Sequence, residues 1–161
     1  LALTLGADVP YCLHQEPAIV SGIGEHIRKL KPFPTYWLVL AKPEESLSTK
    51  DIFAEFAKRD KAFCSFAPRT EQLHAVVRAL QDGNLQALKD VSGNDLFPAA
   101  SSQLDSIEPL ITLLYQCDAK FAQMSGAGST VFGAFTNADA ADAAYSRIQK
   151  HAPFSALVTT K

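Results

Sequence analysis

Residues 119–135 read Ala-Lys-Phe-Ala-Gln-Met-Ser-Gly-Ala-Gly-Ser-Thr-Val-Phe-Gly-Ala-Phe. Two apolar runs, 119–124 and 130–135, have strand character. The small residues Ser125, Gly126, Ala127, Gly128, Ser129 and Thr130 link them. A hairpin needs only a short link of about two to five residues. A bare turn does not call for two glycines, an alanine and flanking hydroxyls. Without bulky side chains, the backbone N–H groups and the hydroxyls of Ser125, Ser129 and Thr130 are free to face an anion closely, and phosphate is the expected one. The plain alternative is a tight turn with positive φ, and the loop alone does not decide between them. No Lys follows Gly128, so the pattern is not G-x-x-x-x-G-K-[ST]. Residues 131–135 continue as strand, so it is not the G-x-G-x-x-G that opens a helix. Both points speak against a P-loop enzyme and a Rossmann enzyme.

Working outward, a helix is predicted around 101–116, with Leu104, Ile107, Ile111, Leu114 and Tyr115 apolar. After the hairpin, 138–150 is an Ala-rich helix. Asp139 near its start and Arg147 and Lys150 near its end suit the helix dipole. A last strand covers 154–159. Further upstream, 36–41 is an apolar strand expected to be fully buried. Ser48 then caps a helix, with Asp51 three residues on and Ile52, Phe53, Phe56 and Ala57 as its apolar face. A second helix, 71–81, turns Leu73, Val76, Val77 and Leu80 inward and ends before Asp82-Gly83. A short helix over 85–90 follows, and residues 94–98 break the pattern. From Tyr36 the order is strand, helices, strand, strand, helix, strand. That is the β-α-β-β-α-β pattern of an α+β, ferredoxin-like (split β-α-β) sheet, with extra helices in the first crossover.

The N-terminal part reads differently. Leu1, Leu5 and Ala2 share a helical face and Gly6 sits where a C-cap would be, so the chain enters in the last turns of a helix and without Met. Pro10 is expected to stop any helix and to bias Val9 to extended geometry. Residues 17–22 form a short strand that pairs with 23–30 through Gly22-Ile23-Gly24. Lys31-Pro32-Phe33-Pro34 is a linker.

The chain has 161 residues, 47% apolar and 20% charged, enough for one domain with a real core. A net charge of −2 without a Lys/Arg cluster gives no support to nucleic-acid binding. Cys12, Cys64 and Cys117 are odd in number and widely spaced, which suggests free thiols in a reducing, cytoplasmic compartment. The four histidines, His14, His26, His74 and His151, lie in separate segments, so no metal site is expected. No apolar run is long enough to span a bilayer.

Asp8 is the second candidate residue. It lies between a helix end and a proline, with apolar residues all round. Such a carboxylate is either a capped structural acid or a base for a substrate hydroxyl that attacks a phosphoryl group.

Several stretches resemble one family in their order along the chain. They are Gly6-Ala7-Asp8-Val9-Pro10-Tyr11, Pro17-Ala18, Gly22-x-Gly24-Glu25 and Lys42-Pro43, then Leu47-Ser48-Thr49 with Ile52-Phe53. Asn94-Asp95-Leu96-Phe97-Pro98-Ala99-Ala100 and the run from Met124 to Gly133 complete the set. Together they resemble the 4-diphosphocytidyl-2-C-methyl-D-erythritol kinases of the GHMP superfamily. The resemblance implies an ATP-dependent phosphotransferase of the non-mevalonate isoprenoid pathway, acting on the 2-hydroxyl of its substrate, with Mg²⁺ brought by ATP. It places Asp8 on the family's catalytic aspartate. Ser125, Gly126, Ala127, Gly128, Ser129 and Thr130 fall on the glycine-rich motif near the phosphates. Thr49 falls on a threonine close to the substrate, though a helix-start role is open for it too. The implied domains are 1–33, the end of an N-terminal GHMP domain, and 34–161, the C-terminal GHMP domain. The family's catalytic lysine and its Pro-x-x-x-Gly-Leu-Gly-Gly-Gly-Ser-Ser loop do not occur in these residues. The expected partner is therefore a missing N-terminal half, without which the chain should be inactive. Two alternatives stay open: another GHMP small-molecule kinase, and a non-catalytic ferredoxin-like binding domain.

Overall fold

The computed structural model describes residues 2–6, 8–14, 16–59 and 70–160. Two short helices, α1 (Ala2–Leu5) and α2 (Val9–His14), pack on each other. The strands β1 (Ala18–Ser21) and β2 (His26–Lys29) form an antiparallel pair of their own, in the register Ala18↔Lys29 to Ser21↔His26. The expected hairpin is therefore present. The expected helix stop at Pro10 is not. Pro10 sits in the first turn of α2, where its missing N–H would have had no intrahelical acceptor.

The larger body begins with β3 (Trp37–Lys42). It continues through α3 (Thr49–Arg59), α4 (Thr70–Gln81), a 3-10 turn at Leu85–Ala87, α5 (Leu88–Val91) and α6 (Phe97–Ser101). Then come α7 (Ile107–Gln116), β4 (Phe121–Met124), β5 (Val131–Phe135), α8 (Ala138–Ile148) and β6 (Phe154–Thr159). The four strands lie in the order β4-β5-β3-β6, all antiparallel neighbours. This is the split β-α-β arrangement, with α3 to α6 as the additions to the first crossover.

The helix expected over 101–116 begins only at Ile107, since Ser101 closes α6, and Pro109 explains the late start. In a helix begun at 101 its ring would clash with the turn before it and remove a hydrogen bond, at a cost of about 3 kcal/mol. In α7 it occupies the first turn, where no N–H is needed. At the start of α8, Asn137 accepts the Ala140 N–H at 2.8 Å through its side chain, a favoured N-cap.

Strand periodicity divides the sheet residues between two faces. Val39 and Ala41 of β3, Met124 of β4, and Val131 and Phe135 of β5 meet α7 and α8 through Ile107, Leu110, Leu114, Ala141, Ala144 and Ile148. Each large side chain fully buried here contributes roughly 1.5–3 kcal/mol. Gly133 lets α7 approach, because a Cβ there would stand 2.9 Å from Leu114 Cδ2 and 3.1 Å from Ala119 Cβ. Ile52 of α3 joins this core, whereas Phe53, expected on the apolar face, is exposed. On the opposite face, Tyr36, Phe121 and Ala134 pack with Ala79, Leu85 and Leu88 from the crossover. In α4 the buried residue is Ala79, while Leu73 is exposed.

Tyr36 ties this second face together. Its hydroxyl donates to the Leu80 carbonyl and its N–H to Thr160 Oγ1. Burial foremost, and then the Asp82 carboxylate, push its phenol above the usual value. A raised native pKa contributes stability below the unfolded-state value, near pH 10, that is lost as pH rises through the native one. Tyr36→Phe is expected to lower the stability of the full-length protein by about 1 kcal/mol at neutral pH. It should also flatten the alkaline fall, so that wild type and variant converge above pH 10 in urea unfolding.

Candidate functional site

The tip of the β4–β5 hairpin is fastened from three directions. Within itself, the Ser125 N–H donates to the Thr130 carbonyl at 2.9 Å and the Gly128 N–H to the Ser125 carbonyl at 3.0 Å. From the β3–α3 connection, the Glu45 carbonyl accepts the Ser129 hydroxyl at 2.8 Å. The Leu47 side chain packs beside Gly128. From the other side, Asn94 Nδ2 donates to the carbonyls of Met124 (2.9 Å) and Gly126 (2.8 Å). Gly126 and Gly128 have φ of +54° and +87°, conformations that L side chains adopt only with strain.

This corrects part of the sequence expectation. Ser129 is 2% exposed and its hydroxyl donates to the Glu45 carbonyl, so that O–H is engaged inside the protein rather than free for an anion. A hydroxyl two residues before a strand is as able to pin a loop as to bind an anion, and sequence does not separate the two. The amides of Gly126 and Ala127 and the hydroxyls of Ser125 and Thr130 have no protein partner among the described residues. Those are the donors that fit a phosphate oxygen.

Thr49 is the first residue of α3 and is exposed. Ser48 begins the helix as expected, its Oγ accepting the Asp51 N–H at 3.3 Å. Leu47 touches Gly128 and Glu45 holds Ser129, so the connection leading to Thr49 runs against the loop. Thr49 and the glycine loop therefore belong to one neighbourhood. The adjacent Lys42 is turned elsewhere: its Nζ donates to the Pro43 carbonyl at 3.3 Å and lies 5.1 Å from the Phe154 ring centroid.

Asp8 is placed differently from the expectation of an apolar setting. Its side chain is exposed, and its carbonyl accepts the Cys12 N–H at 3.0 Å, which makes it the N-cap residue of α2. Asp is a favoured residue there, so the local fold accounts for its position. No hydrogen bond or ion pair joins it to the glycine loop among the described residues. The segment carrying it meets the main body at the sheet's second face. There Tyr11, Glu16 and Pro17 line a cavity of about 670 Å³ with Phe33, Leu38 and Phe132.

Asn94 is the residue that sequence reasoning missed. The stretch 94–98 reads as a helix breaker, but Asn94 Oδ1 accepts the Leu96 N–H at 2.9 Å, an Asx turn. An Asn three residues before a helix start was the available signal. Among the described residues no three His, Cys, Asp or Glu side chains form a metal-binding group. No described helix is long and apolar enough to cross a membrane.

Residues 76–153 match the family described as "GHMP kinases C terminal". Among curated proteins, the chain is similar to the 4-diphosphocytidyl-2-C-methyl-D-erythritol kinase of Ligilactobacillus salivarius. The two are 36% identical over 83% of this chain and 44% of the relative. It is also 33% identical to the kinase of the same name from Mesorhizobium japonicum, over 95% of this chain and 49% of the relative. The chain thus spans about half the length of these relatives. Among solved structures, a 4-(cytidine 5'-diphospho)-2C-methyl-D-erythritol kinase superposes with a TM-score of 0.75 at 22% identity, covering 98% of this chain and 54% of that one. A homoserine kinase from Cytophaga hutchinsonii gives 0.71 at 18% identity, covering 95% of this chain and 50% of that one. At those identities the two structures speak for the fold alone.

Proposed function

We propose that this chain is the C-terminal part of an ATP-dependent kinase that phosphorylates the 2-hydroxyl of 4-diphosphocytidyl-2-C-methyl-D-erythritol in the cytoplasm. The observation that carries the reading is the shared name of the curated relatives, 33–36% identical across most of this chain. The free donors at the hairpin tip agree with it. Residues 1–33 are read as the end of the preceding domain and 34–161 as the C-terminal domain. In support, β1 and β2 share no ladder with the four-stranded sheet. The other half of the same protein would complete the site, and the chain alone is expected to be inactive.

In this reading the Asp8 carboxylate takes the proton of the substrate hydroxyl. The hydroxyl oxygen bonds to the terminal phosphorus of ATP, the bond from that phosphorus to the bridging oxygen breaks, and ADP leaves. The Gly126 and Ala127 amides, with the hydroxyls of Ser125 and Thr130, would hold phosphate oxygens; Thr49 would stand at the substrate's side. Mg²⁺ entering with ATP supplies charge neutralisation when bound. Phosphoryl transfer asks the protein mainly for position and charge stabilisation, and the fastened loop suits that task.

The deciding experiment gives the full-length protein ATP with the diphosphocytidyl substrate, and with homoserine in a parallel arm. ADP release with the first alone is the expected result. Turnover of homoserine alone would overturn the substrate reading in favour of another kinase of this fold, and turnover of neither would overturn it as well.

A further inference from the structure

The side-chain amide of Asn94 has a fixed orientation. Its oxygen accepts an N–H from Leu96, and its nitrogen donates to two carbonyls, Met124 and Gly126. Only one assignment of N and O satisfies all three partners. The bond to Gly126 has a further effect. The Gly126–Ala127 peptide is trans, so its C=O and N–H point to opposite sides of one rigid plane. Holding the Gly126 carbonyl toward Asn94 turns the Ala127 N–H away from Asn94, and that amide has no protein acceptor among the described residues. On the far half of the loop, Ser129 is held to Glu45 by its own hydroxyl. Between these two fastenings lies the short run Gly126-Ala127-Gly128, whose Gly128 N–H is itself held by the Ser125 carbonyl at 3.0 Å.

We infer that Asn94 is a positioning residue for phosphoryl transfer, aiming the Ala127 amide at a phosphate oxygen. The inference rests on the kinase reading above and adds a residue that contacts neither substrate nor phosphate. Its neighbour Ser92 makes a different clasp, donating from its hydroxyl to Gln123 Oε1 at 3.1 Å in the middle of β4. That clasp holds the strand without touching the loop's carbonyls, so Ser92 is the control.

The test uses the full-length protein. Asn94→Asp keeps the oxygen that accepts from Leu96 and sets a second oxygen against the two carbonyls. Asn94→Ser keeps a short acceptor but cannot span to the loop. Both are expected to lower kcat by about 100-fold, the scale for losing one aimed donor. KM for the alcohol substrate should change less than threefold. The amide resonances of Gly126 and Ala127 should move while those of α7 and α8 stay in place. Ser92→Ala should retain kcat within twofold. A kcat within twofold of wild type in Asn94→Asp would overturn the inference. So would a loss of kcat with unmoved Gly126 and Ala127 resonances, or unfolding of both variants. A wild-type protein without kinase activity would fail the functional reading, and the amide resonances would still decide whether Asn94 sets the loop.

Discussion

Asp8→Asn is expected to lower the kcat of the full-length protein by on the order of 10²–10⁴-fold, the range of general-base contributions, with an unchanged melting temperature. The two halves of that expectation have separate causes. The loss of rate comes from removing the group that would take the hydroxyl proton: an amide has the carboxylate's shape and no useful basicity. The unchanged stability comes from the backbone setting. Asp8 caps α2, its side chain is exposed, and no described partner depends on its charge. Asn caps a helix as well as Asp, so the substitution should be silent in the fold. Steady-state rates beside thermal melts check both, and equal rates in the two proteins would dismiss Asp8 as the base.

Gly128→Ala is expected to be the most damaging substitution in the hairpin tip. A Cβ there would lie 2.8 Å from Met124 Sδ and 3.3 Å from Leu47 Cδ1. Met124 is 1% exposed, so its side chain would have to shift within the core. The residue's φ of +87° adds backbone strain. Overpacking and strain together suggest a loss of about 2–4 kcal/mol. Because Leu47 leads into α3, the displacement should carry to Thr49 and lower turnover as well. Gly126→Ala is the informative contrast. It also has positive φ, but a Cβ meets nothing within 4 Å, so only about 1 kcal/mol of strain is expected. Urea midpoints of the two variants give the comparison. Equal losses would mean that backbone conformation alone, and not the packing of Met124 against Leu47, governs the loop.

The larger body was readable because its signals are local and agree with one another. The run over 36–41, the small-residue tip between two apolar runs, and the Ala-rich helix before the last strand each give an element. Their order then gives the sheet. What sequence could not supply were side-chain partners. Ser129 and Thr130 look alike as hydroxyl residues at the loop's end, yet one is consumed by the Glu45 carbonyl 84 positions away. Asn94 reads as a breaker because its use depends on two carbonyls 30 and 32 positions on. Asp8 looked enclosed because its sequence neighbours are apolar, but a short helix with Asp8 at its cap turns the carboxylate outward. The late start of α7 is written in the sequence, since Pro109 forbids a continuous helix from 101.

The register of the sheet has a consequence at the hairpin tip. Ala41 pairs with Val131. Glu45 lies four residues beyond Ala41, and Ser129 two before Val131. The Ser129–Glu45 bond therefore extends the β3–β5 ladder past its last rung. A slip of one residue between those strands would shift Glu45 by about 3.3 Å and exchange the two faces of the sheet. The same slip would strip the loop of its anchor. The hairpin tip thus acts as a gauge of strand alignment: it takes its working shape only in a domain whose central strands have met in the right frame, and a misaligned one would lack the donors that make it useful.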